Sequence, residues 1–314
     1  MRSALAIVLL SSIVSACAGS PAAAPSTQPP RPSASGTPVA LTVGGDHPTP
    51  LVAPSAGATR PAPLIILLHG FGASGAEQDG YMHISAAASG RGAWFSAPDG
   101  SRSDSGVRFW NATDACCDAD HSGIDDSAYL AGLIEDIEAV AEIDPKRVYL
   151  VGHSNGGFMS YRLACDHADR IAAIVSLAGA TWSDPSQCRP SEPVAVLQIH
   201  GTADDTVLYR GGTTSDVGID MHGARYPGVD ATIAAWSTYD GCQGELVSTA
   251  NVVDVDESID GSAGPAEATV FRAEGCRPGG AVELWKIPGG GHVPELAPTF
   301  AEAVLDFLFA HPKP

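Results

Sequence analysis

The sequence predicts a doubly wound α/β domain over residues 39 to 314, with a mainly parallel central sheet and helices on both faces. Three observations carry that expectation. Apolar runs of strand length recur along the chain, they alternate with longer stretches whose apolar residues repeat at helical spacing, and no internal repeat or second linker divides the region. Internal strands of such a sheet are covered on both sides, so they read as continuous apolar runs rather than alternating ones.

In chain order, "PLIILLHG" is a buried strand ending at His69 and Gly70, and "GAWFSAPDG" supplies a second. The stretch "IDDSAYLAGLIEDIEAVAEIDP" places Leu130, Leu133, Ile134, Ile137 and Val140 at helical spacing, with acidic residues at its start and Pro145 beyond its end. "RVYLVGHS", "RIAAIVSLAG", "VAVLQIHG" and "VELWKIPGGGH" are four further strands. "NGGFMSYRLACDHAD", "GVDATIAAWSTYDGC" and "APTFAEAVLDFLFAH" read as helices that cover the sheet. Two polar stretches, "DACCDADHSG" and "VDESIDGSAGPAEA", read as surface excursions.

The formal charge of −19 excludes a general affinity for nucleic-acid phosphates or anionic lipid heads. The first residues carry compartment information. Arg2 precedes the apolar run "ALAIVLLSSIV" and then "VSAC", the pattern of an export leader, and the run is too short to span a membrane. "VSACAG" resembles a bacterial lipoprotein processing box, so residues 1 to 17 are expected to be a leader with Cys17 lipidated after cleavage. Plain cleavage near Ala18 is the alternative. Either way the expected location is extracellular or on the cell surface, with membrane association only through Cys17. Residues 18 to 38 hold many prolines and almost no core-forming side chains, as expected of an extended tether.

Setting Cys17 aside leaves six cysteines, an even set compatible with disulfides in an exported chain. Pairing Cys165 with Cys188 and Cys242 with Cys276 closes two connections of intermediate length around apolar elements. The adjacent Cys116 and Cys117 either join each other or remain thiols. No second close pair or histidine spacing completes a zinc ligand set.

Chemistry concentrates where the apolar runs break. "RVYLVGHSNGGFMSYRLAC" runs from strand to helix through Gly-His-Ser-Asn-Gly, the G-x-S-x-G nucleophile elbow, which holds a serine oxygen above a sheet on a strained turn. Ser154 is therefore the expected nucleophile. A serine hydroxyl needs a base to remove its proton, and the later strand ends supply an acid and a histidine: Asp204 in "LQIHGTADDTV" and His292 in "WKIPGGGHVPE". The order Ser154, Asp204, His292 is that of the α/β-hydrolases. Asp205 follows the same strand and is the alternative acid. His153 lies too close to the serine to act as a distal base, while His200 and His69 read as strand-end packing or hydrogen-bonding residues. The oxyanion donors are expected to be the backbone N–H of Asn155 and one from the early "HGFGAS" loop, assigned to Phe71. Trp110, Asn111, Trp182 and Tyr209 are candidates for the substrate cleft, with burial in the core the equal alternative for Trp110 and Trp182.

Taken in order, "LLHGFGAS", "FWNATDACCDADHSGIDDSAYL", the elbow segment, "VLQIHGTADDTVLY" and the terminal "GGGH" resemble the secreted esterase branch of the α/β-hydrolases that holds polyhydroxybutyrate depolymerases, feruloyl esterases and acetylxylan esterases. The resemblance covers residues 39 to 314 and implies the same roles for Ser154, Asp204 and His292, with oxyanion donors near Phe71 and Asn155. It implies an ester substrate, either a polyester or an acylated polysaccharide, and no metal or organic cofactor. Two departures bear on the cleft. Relatives continue the last histidine loop with Trp-Pro-Gly where this chain has "HVPEL", and the proline after the acid-loop valine is replaced in "TVLYRGG". The leading expectation is a serine hydrolase of polyhydroxybutyrate or its oligomers. Feruloyl or acetyl esters of plant polysaccharides are the alternative substrates, and a non-catalytic polymer-binding surface protein is the alternative of another class.

Overall fold

The computed structural model describes residues 39–43, 47–55, 57–213, 223–260 and 265–314. The expected leader, the tether and Cys17 lie outside the described residues, as does part of the excursion "VDESIDGSAGPAEA".

A ten-stranded sheet organises the domain. Its strands are β1 (Val39–Val43), β2 (His47–Val52), β3 (Ala62–Leu68), β4 (Trp94–Ser96), β7 (Ile143–His153), β8 (Ala173–Leu177), β9 (Ala195–Gly201), β12 (Leu246–Val253), β13 (Ala268–Ala273) and β14 (Val282–Ile287). They lie in the order β1-β2-β4-β3-β7-β8-β9-β14-β13-β12. The run from β4 to β14 is parallel throughout, and antiparallel pairs flank it at both ends. Two short ribbons, β5 (Ser101–Arg102) with β6 (Arg108–Phe109) and β10 (Gly211–Thr213) with β11 (Arg225–Pro227), sit outside the sheet.

Seven α-helices accompany the described strands: α1 (Gly75–Met82), α2 (Ile84–Gly90), α3 (Asp126–Val140), α4 (Asn155–Asp166), α5 (Val229–Tyr239), α6 (Glu257–Asp260) and α7 (Phe300–Ala310). The period-two geometry of a strand explains how they share the sheet. Along β3, Leu64, Ile66 and Leu68 enter one core with residues of α3, α4 and α5, while Ile65 and Leu67 enter the other with residues of α1, α2 and α7. A continuous apolar run is thus two interleaved faces. Helix α3 starts where the Asp125 side chain accepts the N–H of Ala128 and buries Leu130, Leu133, Ile134 and Ile137. Val140, expected in that stripe, is exposed on the helix's last residue.

The structure joins Cys165 to Cys188 and Cys242 to Cys276, as the spacing suggested, and it joins Cys116 to Cys117. No described helix is long and apolar enough to cross a membrane.

Candidate active site

The carboxyl ends of β7, β9 and β14 each present one polar side chain, and the three meet. Ser154 separates β7 from α4 and has φ 53° and ψ −121°, a backbone region that side chains rarely enter. Close packing of strand against helix forces it there. A Cβ on Gly157 would lie 2.7 Å from the Ser176 hydroxyl oxygen, and one on Gly152 would strike the Gly156 carbonyl. The turn is pinned by Ser154 N–H donating to Leu177 O at 2.8 Å and by Phe158 N–H donating to Ser154 O at 3.0 Å.

From this elbow, Ser154 Oγ lies 2.9 Å from His292 Nε2, and His292 Nδ1 lies 2.9 Å from Asp204 Oδ2. The loops that carry Asp204 and His292 also hold each other. Thr202 N–H donates to Ile287 O and Ala203 N–H to Gly290 O, because β9 and β14 are neighbours. Asp204 is buried, and its Oδ1 accepts the N–H groups of Thr206 and Val207 at 2.9 and 2.8 Å. Burial by itself would raise its pKa, but hydrogen bonds from His200 and His292 outweigh that and hold the carboxyl well below the usual range. Asp205, the alternative acid, is exposed and, among the described residues, accepts only the Thr206 hydroxyl, at 3.2 Å.

The hydrogen bond of Ser154 Oγ goes to His292, and His153 is engaged elsewhere. Its Nε2 donates to the His292 carbonyl at 3.0 Å, and its ring sits between those of Tyr81 and His292, at centroid distances of 5.6 and 5.1 Å. Burial, reinforced by the neighbouring His292, lowers its pKa to about 4, so it is neutral in ordinary buffers. Tyr81 then donates to Pro294 O at 2.8 Å, tying α1 to the loop that carries His292. Nothing in the sequence revealed this bracing, since its two hydrogen bonds join residues 139 and 213 positions apart.

The "HGFG" loop lies beside the serine: a Cβ on Gly70 would stand 3.5 Å from Ser154 Cβ. Gly70 N–H donates to Gln78 Oε1 and Gly72 N–H to Arg108 O, which fixes the loop on both sides of Phe71. Among the described residues, no backbone or side-chain acceptor takes the N–H of Phe71 or of Asn155. The Asn155 side chain is fully buried and clamps Trp110, accepting its N–H at 2.7 Å and donating to its carbonyl at 2.9 Å; it also reaches Cys116 Sγ at 3.4 Å.

That clamp corrects one expectation. Trp110 is 0% exposed, its indole N–H donating to His69 O at 3.1 Å, so it is core beneath the site and not a wall of the cleft. Asn111 borders a depression of about 240 Å³ with Thr113, Asp114, Asp118 and His121, and its side chain donates to Ile124 O. Trp182 is half-buried against the α4 face of the core. Tyr209 meets the His200 ring edge-on at 5.7 Å, with the Lys286 ammonium over its face at 5.3 Å. His69 is structural: its Nδ1–H donates to Gly70 O and its Nε2 accepts the N–H of Gly100.

A cavity of about 490 Å³ between β12, β13, β14 and α7 borders none of Ser154, Asp204 or His292. No group of three or more His, Cys, Asp or Glu among the described residues is arranged to hold a metal ion.

Comparison with known proteins agrees with this architecture. The chain is 30% identical over 236 residues to feruloyl esterase B of Piromyces equi, covering 74% of this chain and 40% of that protein. It is 29% identical over 149 residues to a bifunctional acetylxylan esterase/xylanase of Neocallimastix patriciarum, covering 48% of this chain and 20% of that protein. The chain thus spans less than half the length of these relatives. The solved acetyl xylan esterase from Aspergillus awamori superposes with a TM-score of 0.60 at 13% identity, over 87% of this chain and 99% of that one, which shows a shared fold. Residues 52–221, carrying Ser154 and Asp204, match the family described as Phospholipase/Carboxylesterase, and the chain belongs to that family.

Proposed function

We propose that this protein is a serine carboxylic-ester hydrolase that removes acyl groups, feruloyl or acetyl, from plant polysaccharide esters. The observation that carries the chemistry is the unbroken run Ser154 Oγ, His292, Asp204, at 2.9 Å for each contact. His292 Nε2 takes the Ser154 proton as Oγ bonds to the ester carbonyl carbon, and the carbonyl electron pair moves onto oxygen. The N–H groups of Phe71 and Asn155 receive that oxyanion. On collapse the alkoxide leaves with the proton from His292, and the acyl group stays on Ser154. Water, deprotonated by His292, then repeats the sequence and releases the acid. Asp204 holds the imidazole and stabilises its charged form throughout.

The substrate class rests on the names of the relatives, a feruloyl esterase and an acetylxylan esterase, rather than on the polyester expected first. The burial of Trp110 removes one candidate cleft surface for every ester class alike, aromatic acyl, sugar or polyester. Phe71 and Val293, exposed in the loops of the oxyanion and base residues, are apolar surfaces against which an aromatic acyl group packs.

The test is labelling with an active-serine phosphonate followed by parallel assays on feruloyl esters, acetylxylan and hydroxybutyrate oligomers. Label should fall on Ser154 and vanish in Ser154→Ala, and one of the first two substrates should turn over fastest. Label solely on another serine would sink the mechanism. Faster turnover of the oligomers would restore the polyester reading, and polymer binding without any turnover would make the protein a non-catalytic binder.

A further inference from the structure

His200 is the last residue but one of β9, is 1% exposed, and takes no part in the proton transfers described above. Its surroundings nonetheless fix its protonation. Nε2 faces two acceptors, Val207 O at 2.7 Å and Asp204 Oδ2 at 3.2 Å, so it must carry a proton. Nδ1 lies 2.9 Å from Gln198 Nε2. The Gln198 amide is itself oriented, because its nitrogen donates to Gly179 O at 2.9 Å and its oxygen accepts the Tyr161 hydroxyl at 2.7 Å. The amide therefore presents an N–H to Nδ1, which must be an unprotonated acceptor. His200 is held as the neutral Nε2–H form.

Asp204 then has four donors for the acceptor positions of its two oxygens: the amides of Thr206 and Val207 on Oδ1, and the imidazoles of His292 and His200 on Oδ2. We propose that His200 is a positioning residue for the base, sharing Oδ2 of Asp204 with His292 so that the carboxylate is both fixed in place and only partly available to the imidazolium. This rests on the reading of Ser154, His292 and Asp204 as the reacting set.

A carboxylate that gives up part of its charge to a second donor stabilises the charged imidazolium of its partner less than an unshared one does. Removing the second donor concentrates the charge on His292. The other ionisable groups packed here stay the same: His153 behind His292, Tyr209 and Lys286 beside His200, and Tyr161 on Gln198.

The experiment compares His200→Leu and His200→Gln with wild type on a small activated ester, with each preparation normalised by phosphonate titration of its active sites. Leucine removes the donor. Glutamine places an amide N–H near the position of Nε2. For His200→Leu the expected result is a fall in kcat of about 10- to 100-fold, KM within about threefold, and an acid limb of the kcat/KM profile moved up by about half a pH unit or more. His200→Gln should bring the limb back towards wild type. An unmoved limb in both variants overturns the proposal whatever the kcat, because active-site titration already removes any change in the amount of working enzyme, and a purely structural histidine would leave the pH profile alone. Should His200→Leu fail to fold, nitrogen-15 spectra of wild type at pH 8 decide: a protonated Nε2 and bare Nδ1 support the proposal, and the reverse pattern overturns it. Failure of wild type to label at Ser154 would instead remove the reading on which the proposal rests.

Discussion

Asp204 and Asp240 are both buried aspartates, and the number of donors around each separates them. Three hydrogen bonds and the His200 imidazole at 3.2 Å hold Asp204 ionised, whereas Asp240, at the end of α5, has Oδ1 accepting Val194 N–H at 3.1 Å and, among the described residues, no hydrogen-bond partner for Oδ2. Burial raises the Asp240 pKa from 3.8 to about 7, more than Val194 N–H and Arg277 can offset. Between those two values the folded state binds more protons than the unfolded state, so this group makes stability fall as pH rises, by at most about 1.4 kcal/mol per pH unit. Asp240→Asn keeps an acceptor for Val194 and has no charge to desolvate. Its melting temperature should exceed that of wild type at pH 8 and approach it at pH 5; a variant less stable at pH 8 would show that the ionised form is paired. At this scale the sequence was legible where a residue acts from its own motif. Ser154, Asp204 and His292 each end an apolar run, and strand ends in a parallel sheet converge on one edge. The bracing by His153, the clamp of Asn155 on Trp110 and the tie of His200 to Asp204 were not, because each depends on which distant segment packs alongside.

Helix α4 links the site to the core at both of its ends. Its first turn is set by the elbow, and its last carries Cys165, joined to Cys188 in the segment leading into β9. With the two cysteines 23 positions apart, closing that loop stabilises the fold by about 3 kcal/mol in the chain-entropy account. The elbow has its own anchors, Ser154 N–H on Leu177 O and the packing of Gly156 and Gly157 against neighbouring backbone. Replacing both cysteines by alanine should therefore lower unfolding free energy in urea by about that amount while kcat falls by less than about threefold. A large loss of kcat without loss of stability would mean that the disulfide positions the serine itself. The parallel strands were visible as apolar runs for the reason given by β3, whose alternate residues serve two cores. The flanking strands were not. β2 contains Pro48 and Pro50, which argue against a strand and are tolerated near a sheet edge, and β12 is exposed or half-exposed along its whole length.

Charge acts on the molecule as a whole. The chain carries a formal −19, and residues 1 to 38 contribute only the positive Arg2 and Arg31, so the remaining residues are more acidic still. Self-repulsion of that size disfavours a compact state, and salt shortens its reach from about 30 Å at 0.01 M to about 8 Å at 0.15 M. The opposing effect of salt is to weaken ion pairs. The described ones include Arg91 with Asp306 and Arg170 with Glu135, whose acidic partners are 73% and 64% exposed, and such pairs contribute about 0–1 kcal/mol each. Repulsion among the unpaired carboxylates should win. Raising sodium chloride from 10 to 300 mM at pH 7.5 should then raise the melting temperature, and a gain of about 2 kcal/mol would correspond to about 3–4 °C for a domain of this size. At pH 5, close to the sequence pI of 4.7, the net charge nearly vanishes and the same change of salt should move the transition little. Calorimetry at both pH values separates the two effects: a melting temperature that falls with salt at pH 7.5 would mean that the surface ion pairs outweigh the net charge.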